Sequence, residues 1–378
     1  MSIQNRRVFG LDLMRAIAIL MVLFSHVLIV FFKSNNVVTN VFGFIGLHGV
    51  EVFFALSGFL IGTILLKTMS QEGFSAKQVL NFWTRRWFRT LPLYFLILLL
   101  NIILFYYIKN DFPEKIGLFP FFAQNLITNH PFFFPEAWSL SVEEYAYLFS
   151  PIILWFCYKI FKAKQKSFLL STLLLISVCI LTKAFFYLKH VTEPLSIGYW
   201  DNSLKEVVIY RLDAIYYGFI IAYGHFYYIN WLKNRRHKLL IFGSVLLVIN
   251  HMLFMMSSTQ EEHSFYIDVL FLPLNSITIC MFLPYLYYLK CSFRLIENII
   301  YKISIYSYSI YLLHYTFILG LMTLILPFER FTLLQRIGYV FVYLVITYVL
   351  SYVIYKYFET PLTNLRDSNR VKNLFKMK

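Results

Sequence analysis

Long apolar runs alternate with short polar, mostly basic segments along this chain, at the spacing of membrane-crossing helices. Taking about twenty apolar residues as one crossing, the pattern predicts ten helices, over 9–32, 44–66, 91–108, 138–158, 168–188, 207–229, 239–257, 265–289, 303–326 and 337–358. The first organises the rest. Its stretch from Leu11 to His26 carries Arg15 near one end and His26 at the other. On an α-helix that separation is about 20° in azimuth and about 16 Å in height, so both side chains face the same way. An arginine in hydrocarbon costs about 2.5 to 3.5 kcal/mol on insertion scales and so faces a protein interior or a water-filled cavity. A vertical polar stripe inside a bundle is expected.

Composition agrees. Of 378 residues 59% are hydrophobic and 14% charged, and the mean hydropathy is +0.65. That excludes a soluble globular chain and defines an all-α polytopic membrane protein, a bundle of about ten transmembrane helices. The net charge of +15 follows topology: 24 Lys and Arg lie in one set of alternate connecting segments and 8 in the other, with Arg15 and Arg211 inside helices. By the positive-inside rule both termini are cytoplasmic, and nucleic acid is not an expected partner. The four cysteines show no spacing for zinc or a disulfide framework, and no metal is expected. The first apolar segment is too long for a signal-peptide core and lacks a small-residue cleavage site, so it is expected to stay as a helix. No repeat or linker divides the chain, which gives one membrane domain over 1–366 and a short basic cytoplasmic tail over 367–378. The outer segment 109–137 contains Phe132, Phe133, Phe134 and Pro135, too apolar for a free loop, and is expected to dip back onto the bundle.

Several motifs stand out, each with two readings. In the second helix Gly58 and Gly62, with Ser57 beside them, form a small-residue face for close helix packing. Glu51 and His48, three apart at its outer end, read as a solvated interfacial pair or as a chemical one. Before the third helix, FWTRRWFRTLP places Arg85, Arg86 and Arg89 among Trp83, Trp87 and Phe88 in a cytoplasmic loop ending at Pro92. Headgroup anchoring is one reading; guanidinium forks on donor phosphates, with an aromatic stacked on the donor base, is the other. At the start of the fourth helix Glu143 and Glu144 point about 100° apart. One is expected on a wet flank, the other partly buried and suited to acid/base work. Arg211 and Asp213, two apart, diverge and each seek a partner on another helix. His314 follows Ser304, Ser307, Ser309 and Tyr311, and a lone helical histidine defaults to packing. Glu359 to Pro361 reads as a helix stop.

In this order, these pieces resemble acyltransferase family 3, the integral-membrane enzymes that O-acylate bacterial surface glycans. The resemblance rests on Arg15 and His26, GVEVFFALSGFLIG at 49–62, RRWFRTLP at 85–92, WSLSVEE at 138–144, RLDAIYYG at 211–218, YLLH at 311–314 and ETP at 359–361. It implies a multi-pass protein of the bacterial cytoplasmic (inner) membrane that takes an acyl group, usually acetyl, from cytoplasmic acyl-CoA. The group is delivered to a hydroxyl of an extracytoplasmic or lipid-linked glycan. Family members often carry Asp where Glu51 stands and Gln where Tyr145 stands. Many add an extracytoplasmic hydrolase-like domain for which this chain has no room, so the core is expected to act alone or with a separate partner outside the membrane.

Joined to the helix geometry, this gives a mechanism. Arg15 is expected to hold a donor phosphate or the thioester end, with Arg85, Arg86 and Arg89 on the more polar part. His26 deprotonates the acceptor hydroxyl or carries the acyl group in a two-step relay. Glu143 or Glu144 orients and balances the imidazolium, and Glu51, His48, Arg211, Asp213 and His314 support the site. The alternative is a glycan or lipid-linked sugar transporter without covalent chemistry, which calls for helix breaks at mid-membrane and ideally a repeat.

Overall fold

The computed structural model describes residues 7–32, 37–72, 74–259 and 262–366; the tail at 367–378 lies outside them. In order the chain forms α1 (Phe9–Phe31), α2 (Val37–Glu72), α3 (Ala76–Lys109), α4 (Ala137–Phe161), α5 (Lys164–His190), short α6 (Ile197–Trp200) and α7 (Val208–Arg211), and α8 (Asp213–Tyr227). Then come α9 (Ile229–Ser258), α10 (Phe271–Cys280), α11 (Leu283–Tyr287), α12 (Arg294–Leu313), α13 (Gly320–Ile325), α14 (Leu333–Ile354) and α15 (Thr360–Leu365). Among the described residues no strand forms; π-helical turns at His314–Leu319 and Tyr355–Glu359 join helices end to end, and one at Tyr266–Leu270 leads directly into α10.

Eight of these runs are long and apolar enough to cross a membrane. A ninth arises if Ile197–Lys205 and Val208–Tyr227, bent by 87°, count as one broken span. The tenth predicted position is α4, which has the length of a span, 25 residues, but carries Glu143 and Glu144. The protein is an all-α polytopic membrane protein.

Two boundaries differ from the sequence pattern for local reasons. The expected loop before Pro92 is helical, because α3 starts at Ala76, where Ser75 and Gln78 form a reciprocal capping box. Pro92 removes one backbone donor yet sits inside α3, as neighbouring helices allow in a membrane bundle. The stop expected at 359–361 is absent too: a π turn carries Glu359 onward and Pro361 takes the first turn of α15, where its missing N–H costs nothing.

Helix α2 is the hub, packed on α1 and α8. A Cβ on Gly58 would stand 1.9 Å from the Ile215 carbonyl oxygen, and one on Gly218 would stand 2.5 Å from that of Ala55. Only glycines permit this approach, and close van der Waals packing of this kind holds helices together where lipid removes the hydrophobic driving force. Helix α12 runs parallel to α1, with Ser304 beside Arg15 and His314 beside His26. At the far end of α1, Arg336 of α14 donates to the Val30 and Phe31 carbonyls at 2.7 and 3.1 Å, capping the helix that carries His26. As expected, the segment 109–137 folds back, burying Phe133 and Phe134; Phe132 alone of the three projects, 94% exposed.

Candidate active site

The helical period puts Arg15 and His26 on the α1 face that meets α12. Arg15 Nη1 donates to Ser304 Oγ at 3.0 Å, and Ser304 in turn donates to Asp12 at 2.7 Å. One end of the stripe is therefore a hydrogen-bonded guanidinium that opens into a cavity of about 270 Å³.

Arg86, Arg89, Glu143, Ser57, Thr90 and Tyr308 also line that cavity. Arg86 and Arg89 are three apart on α3 and share its inner face. Arg85, about 100° round the helix from Arg86, is exposed and not among the lining residues, so of the motif's three arginines two line the cavity, together with Arg15. Arg86 lies over the Tyr147 ring, 4.0 Å from its centroid, and donates to the Tyr147 hydroxyl, which donates to Glu143 at 2.6 Å. Ser57 hydrogen-bonds the same hydroxyl, so it is part of the cavity chemistry and not only of packing. Trp83 and Trp87 stack on one another, centroids 5.6 Å apart, and Trp83 Nε1 donates to the Tyr147 carbonyl at 3.1 Å. The expected aromatic partner for a donor base is thus engaged within α3.

At the other end His26 meets a second histidine. His26 Nδ1 is 2.9 Å from the Val22 carbonyl oxygen and 3.3 Å from His314 Nε2; His314 Nδ1 is 2.7 Å from the Tyr311 carbonyl oxygen. Carbonyls accept only, so both Nδ1 atoms carry the hydrogen. His314 Nε2 is then an acceptor facing His26 Nδ1–H, and the His26 Nε2 lone pair is left for chemistry. His314 is no lone packing residue. Tyr311, whose carbonyl fixes it, also lines the cavity, so this turn of α12 lies between the cavity and the histidine pair.

The glutamates are placed otherwise than expected. Neither is on a wet flank: Glu143 faces the cavity, and Glu144 is buried against Thr90 and Trp87. Neither is among the hydrogen-bond partners of His26. A third glutamate, Glu136, precedes α4 and reaches the turn that follows His314. It accepts from the backbone N–H of Thr316 at 3.1 Å and from the Thr316 hydroxyl, in the π turn that begins at His314. Burial pushes the Glu136 carboxyl up to about 7 against the pull of these hydrogen bonds. Glu359, expected only at a helix stop, is buried and accepts from Ser309 at 2.8 Å.

The remaining candidates form a separate buried network on another side of α2. Glu51 is fully buried, which corrects the solvated reading: it pairs with Arg211 and accepts from Ser276 at 2.6 Å. His48 packs against His251, ring centroids 4.6 Å apart and planes tilted by 36°. Asp213 pairs with Lys183. Arg211 and Asp213 thus reach partners on other helices, as their divergence predicted. Lys183 escaped the sequence analysis although a lysine inside a predicted span is itself a signal. Glu136 and Tyr147 flank the WSLSVEE motif, and only the fold shows their contacts.

Comparison with known proteins identifies the class. The model of the acyltransferase 3 family, described as an acyltransferase domain, matches residues 8–356. The chain belongs to this family and is a membrane-embedded acyltransferase. A Haemophilus influenzae protein without assigned function is 30% identical over 224 residues, 54% of this chain and 89% of its own length. The peptidoglycan O-acetyltransferase OatA of Listeria monocytogenes is 30% identical over 161 residues, 38% of this chain; the match spans 24% of OatA. No solved structure matches. The transporter alternative called for a helix break, and one exists at the 87° bend before α7, but family membership assigns the chain to acyl transfer. Among the described residues no group of three His, Cys, Asp or Glu could hold a metal.

Proposed function

We propose that the protein transfers an acyl group, acetyl by preference, from acyl-CoA held at the Arg15 end of the stripe to a hydroxyl of a glycan presented at the His26 end. The observation that carries this is the paired histidine arrangement. The His26 Nε2 lone pair is free, its Nδ1–H is held by Val22 and His314, and the same helix face leads to the arginine-lined cavity.

Arg15, Arg86 and Arg89 bind the donor phosphates through charge-assisted hydrogen bonds, and Glu143 with Tyr147 keeps the Arg86 fork oriented toward the cavity. His26 Nε2 takes the proton of the acceptor hydroxyl as its oxygen attacks the thioester carbonyl. The carbon–sulfur bond breaks, the new ester forms, and the proton passes to the departing thiolate to give the free thiol. During attack the imidazolium charge is stabilised by His314 Nε2 and the Val22 carbonyl, neutral acceptors where a catalytic triad would use a carboxylate. A carbohydrate acceptor is supported by the likeness to OatA, whose name records a peptidoglycan substrate. The OatA likeness and the Lys and Arg bias together support a bacterial cytoplasmic membrane with the donor cavity facing inward. The test is thiol release from acetyl-CoA by reconstituted protein with a glycan acceptor: wild type should release thiol and form ester in equal amounts, whereas His26→Ala should do neither.

A further inference from the structure

Away from the stripe, α8, α9 and α10 enclose a cavity of about 590 Å³, the larger of the two and unused by the proposed chemistry. Ligand-sized pockets run roughly 300 to 1,000 Å³. Its wall is apolar: Tyr217, Ile220 and Ile221 face it from α8, Trp231 and Leu239 from α9, and Cys280 from α10. The α8 positions follow helical spacing, so one whole face of α8 is turned to empty space between helices. Apart from the tyrosine hydroxyls near its mouth, the wall offers water few hydrogen bonds. Hydrocarbon is its natural occupant.

The cavity opens where α8 turns directly into α9, beside Tyr228 and Trp231, which are 52% and 49% exposed. That rim is strongly cationic. Residues 158–170 and 228–240 contain no Asp or Glu, while Lys159, Lys162, Lys164, Lys166, Lys233, Arg235, Arg236 and Lys238 all fall within them. The two segments are joined at the rim, since Gln165 donates to the hydroxyls of Tyr223 and Tyr228 at 2.8 and 3.2 Å, both of which line the cavity. Arg235 lies over the ring of Trp231, a lining residue, 4.7 Å from its centroid, which holds that guanidinium at the rim; Arg236, next in the chain, lies over Tyr288 at 5.6 Å. None of the four α9 cations is ion-paired to a described residue.

We propose that this is a binding site for an anionic glycerophospholipid, one acyl chain inserted between α8, α9 and α10 and the phosphodiester on Arg235 and Arg236. Charge selects the headgroup, and the apolar volume selects a chain-bearing ligand over a free phosphate. The site is independent of the acyl-transfer reading. Because α8 also carries the close contact with α2 through Gly218, an occupied site braces the hub of the bundle from behind.

Trp231 supplies the readout. Protein is reconstituted in phosphatidylcholine vesicles containing bromine-labelled acyl chains on either phosphatidylglycerol or phosphatidylcholine, and the Trp231 signal is taken as wild type minus Trp231→Phe. The expected result is quenching by the labelled phosphatidylglycerol at a mole fraction at least several-fold lower than by labelled phosphatidylcholine. Arg235→Gln with Arg236→Gln should erase that preference. Cys280→Phe, which puts a ring into the chain's path, should weaken the quenching that Cys280→Ala retains. Should Cys280→Phe fail to fold, the surface pair of arginine variants still decides the matter. Equal quenching by both lipids in the wild type, or full quenching in Cys280→Phe, would mean ordinary boundary lipid and overturn the proposal. Relief of the preference by millimolar inorganic phosphate would show a bare anion site and overturn it equally.

Discussion

His314 Nε2 stands 3.3 Å from His26 Nδ1 across the α1–α12 interface, and each ring is locked in one tautomer by a carbonyl of its own helix. In the proposed reaction these neutral acceptors stand where a catalytic triad has a carboxylate.

Replacing His314 by Ala frees the His26 ring to rotate and leaves its Nδ1–H with Val22 alone. Turnover should fall by about 10²-fold with donor KM little changed, within the range of general-base effects. His26→Ala should cost at least as much, and the double variant no more than His26→Ala, since the two act as one unit. Steady-state kinetics on the three variants check this; additive losses would separate the histidines.

The cavity arginines should act on binding. Charge-assisted hydrogen bonds contribute about 1.5 to 3 kcal/mol, so Arg86→Gln or Arg89→Gln should raise donor KM by roughly 10- to 100-fold at nearly constant kcat. Arg85→Gln, on the other face of α3, should leave KM unchanged. Donor titrations of the three variants distinguish a two-arginine grip from a general dependence on basic charge.

Removing one partner of a buried ion pair leaves an uncompensated charge, at a cost of about 3 to 5 kcal/mol. Lys183→Met should therefore lower thermal stability in detergent sharply, and so should Asp213→Leu. The double substitution should recover most of the loss because it removes both charges together. Denaturation midpoints of the single and double variants test this, and a double variant as unstable as the sum of the singles would contradict it.

Glu136 gives a pH signature. Its carboxyl is raised from an ordinary 4.5 to about 7, so between those values the folded protein holds a proton that the unfolded chain releases. Stability must then decline as pH rises through that window. Glu136→Gln keeps an acceptor for Thr316 and removes the titration. Compared over pH 4.5 to 7, the melting point should fall more steeply in wild type than in Glu136→Gln; parallel profiles would mean that Glu136 ionises normally.

The period of apolar runs was enough to place the helices, because lipid demands backbone pairing within each segment, and to place Arg15 and His26 on one face, because eleven residues nearly close three turns. It also showed that Arg211 and Asp213 must part. Partners on other helices were beyond it. Nothing in the order of residues says that His314 reaches His26, that Arg211 reaches Glu51, or that Glu143 serves Arg86 and not a histidine, since each depends on how α2, α4 and α12 pack. The mistaken stop at Glu359 has the same origin: Pro361 ends a helix in isolation, but a π turn and a packed neighbour carry this one through.

The central claim is that His26 performs acyl transfer to a surface glycan. A strain lacking the gene is complemented with wild type or with His26→Ala at matched membrane abundance, and ester groups on its surface glycans are measured by mass spectrometry. Wild type should restore an O-acetyl group that stays missing with His26→Ala, the modified sugar being the acceptor. Equal restoration by His26→Ala would contradict it and leave the paired histidines a structural feature of the bundle.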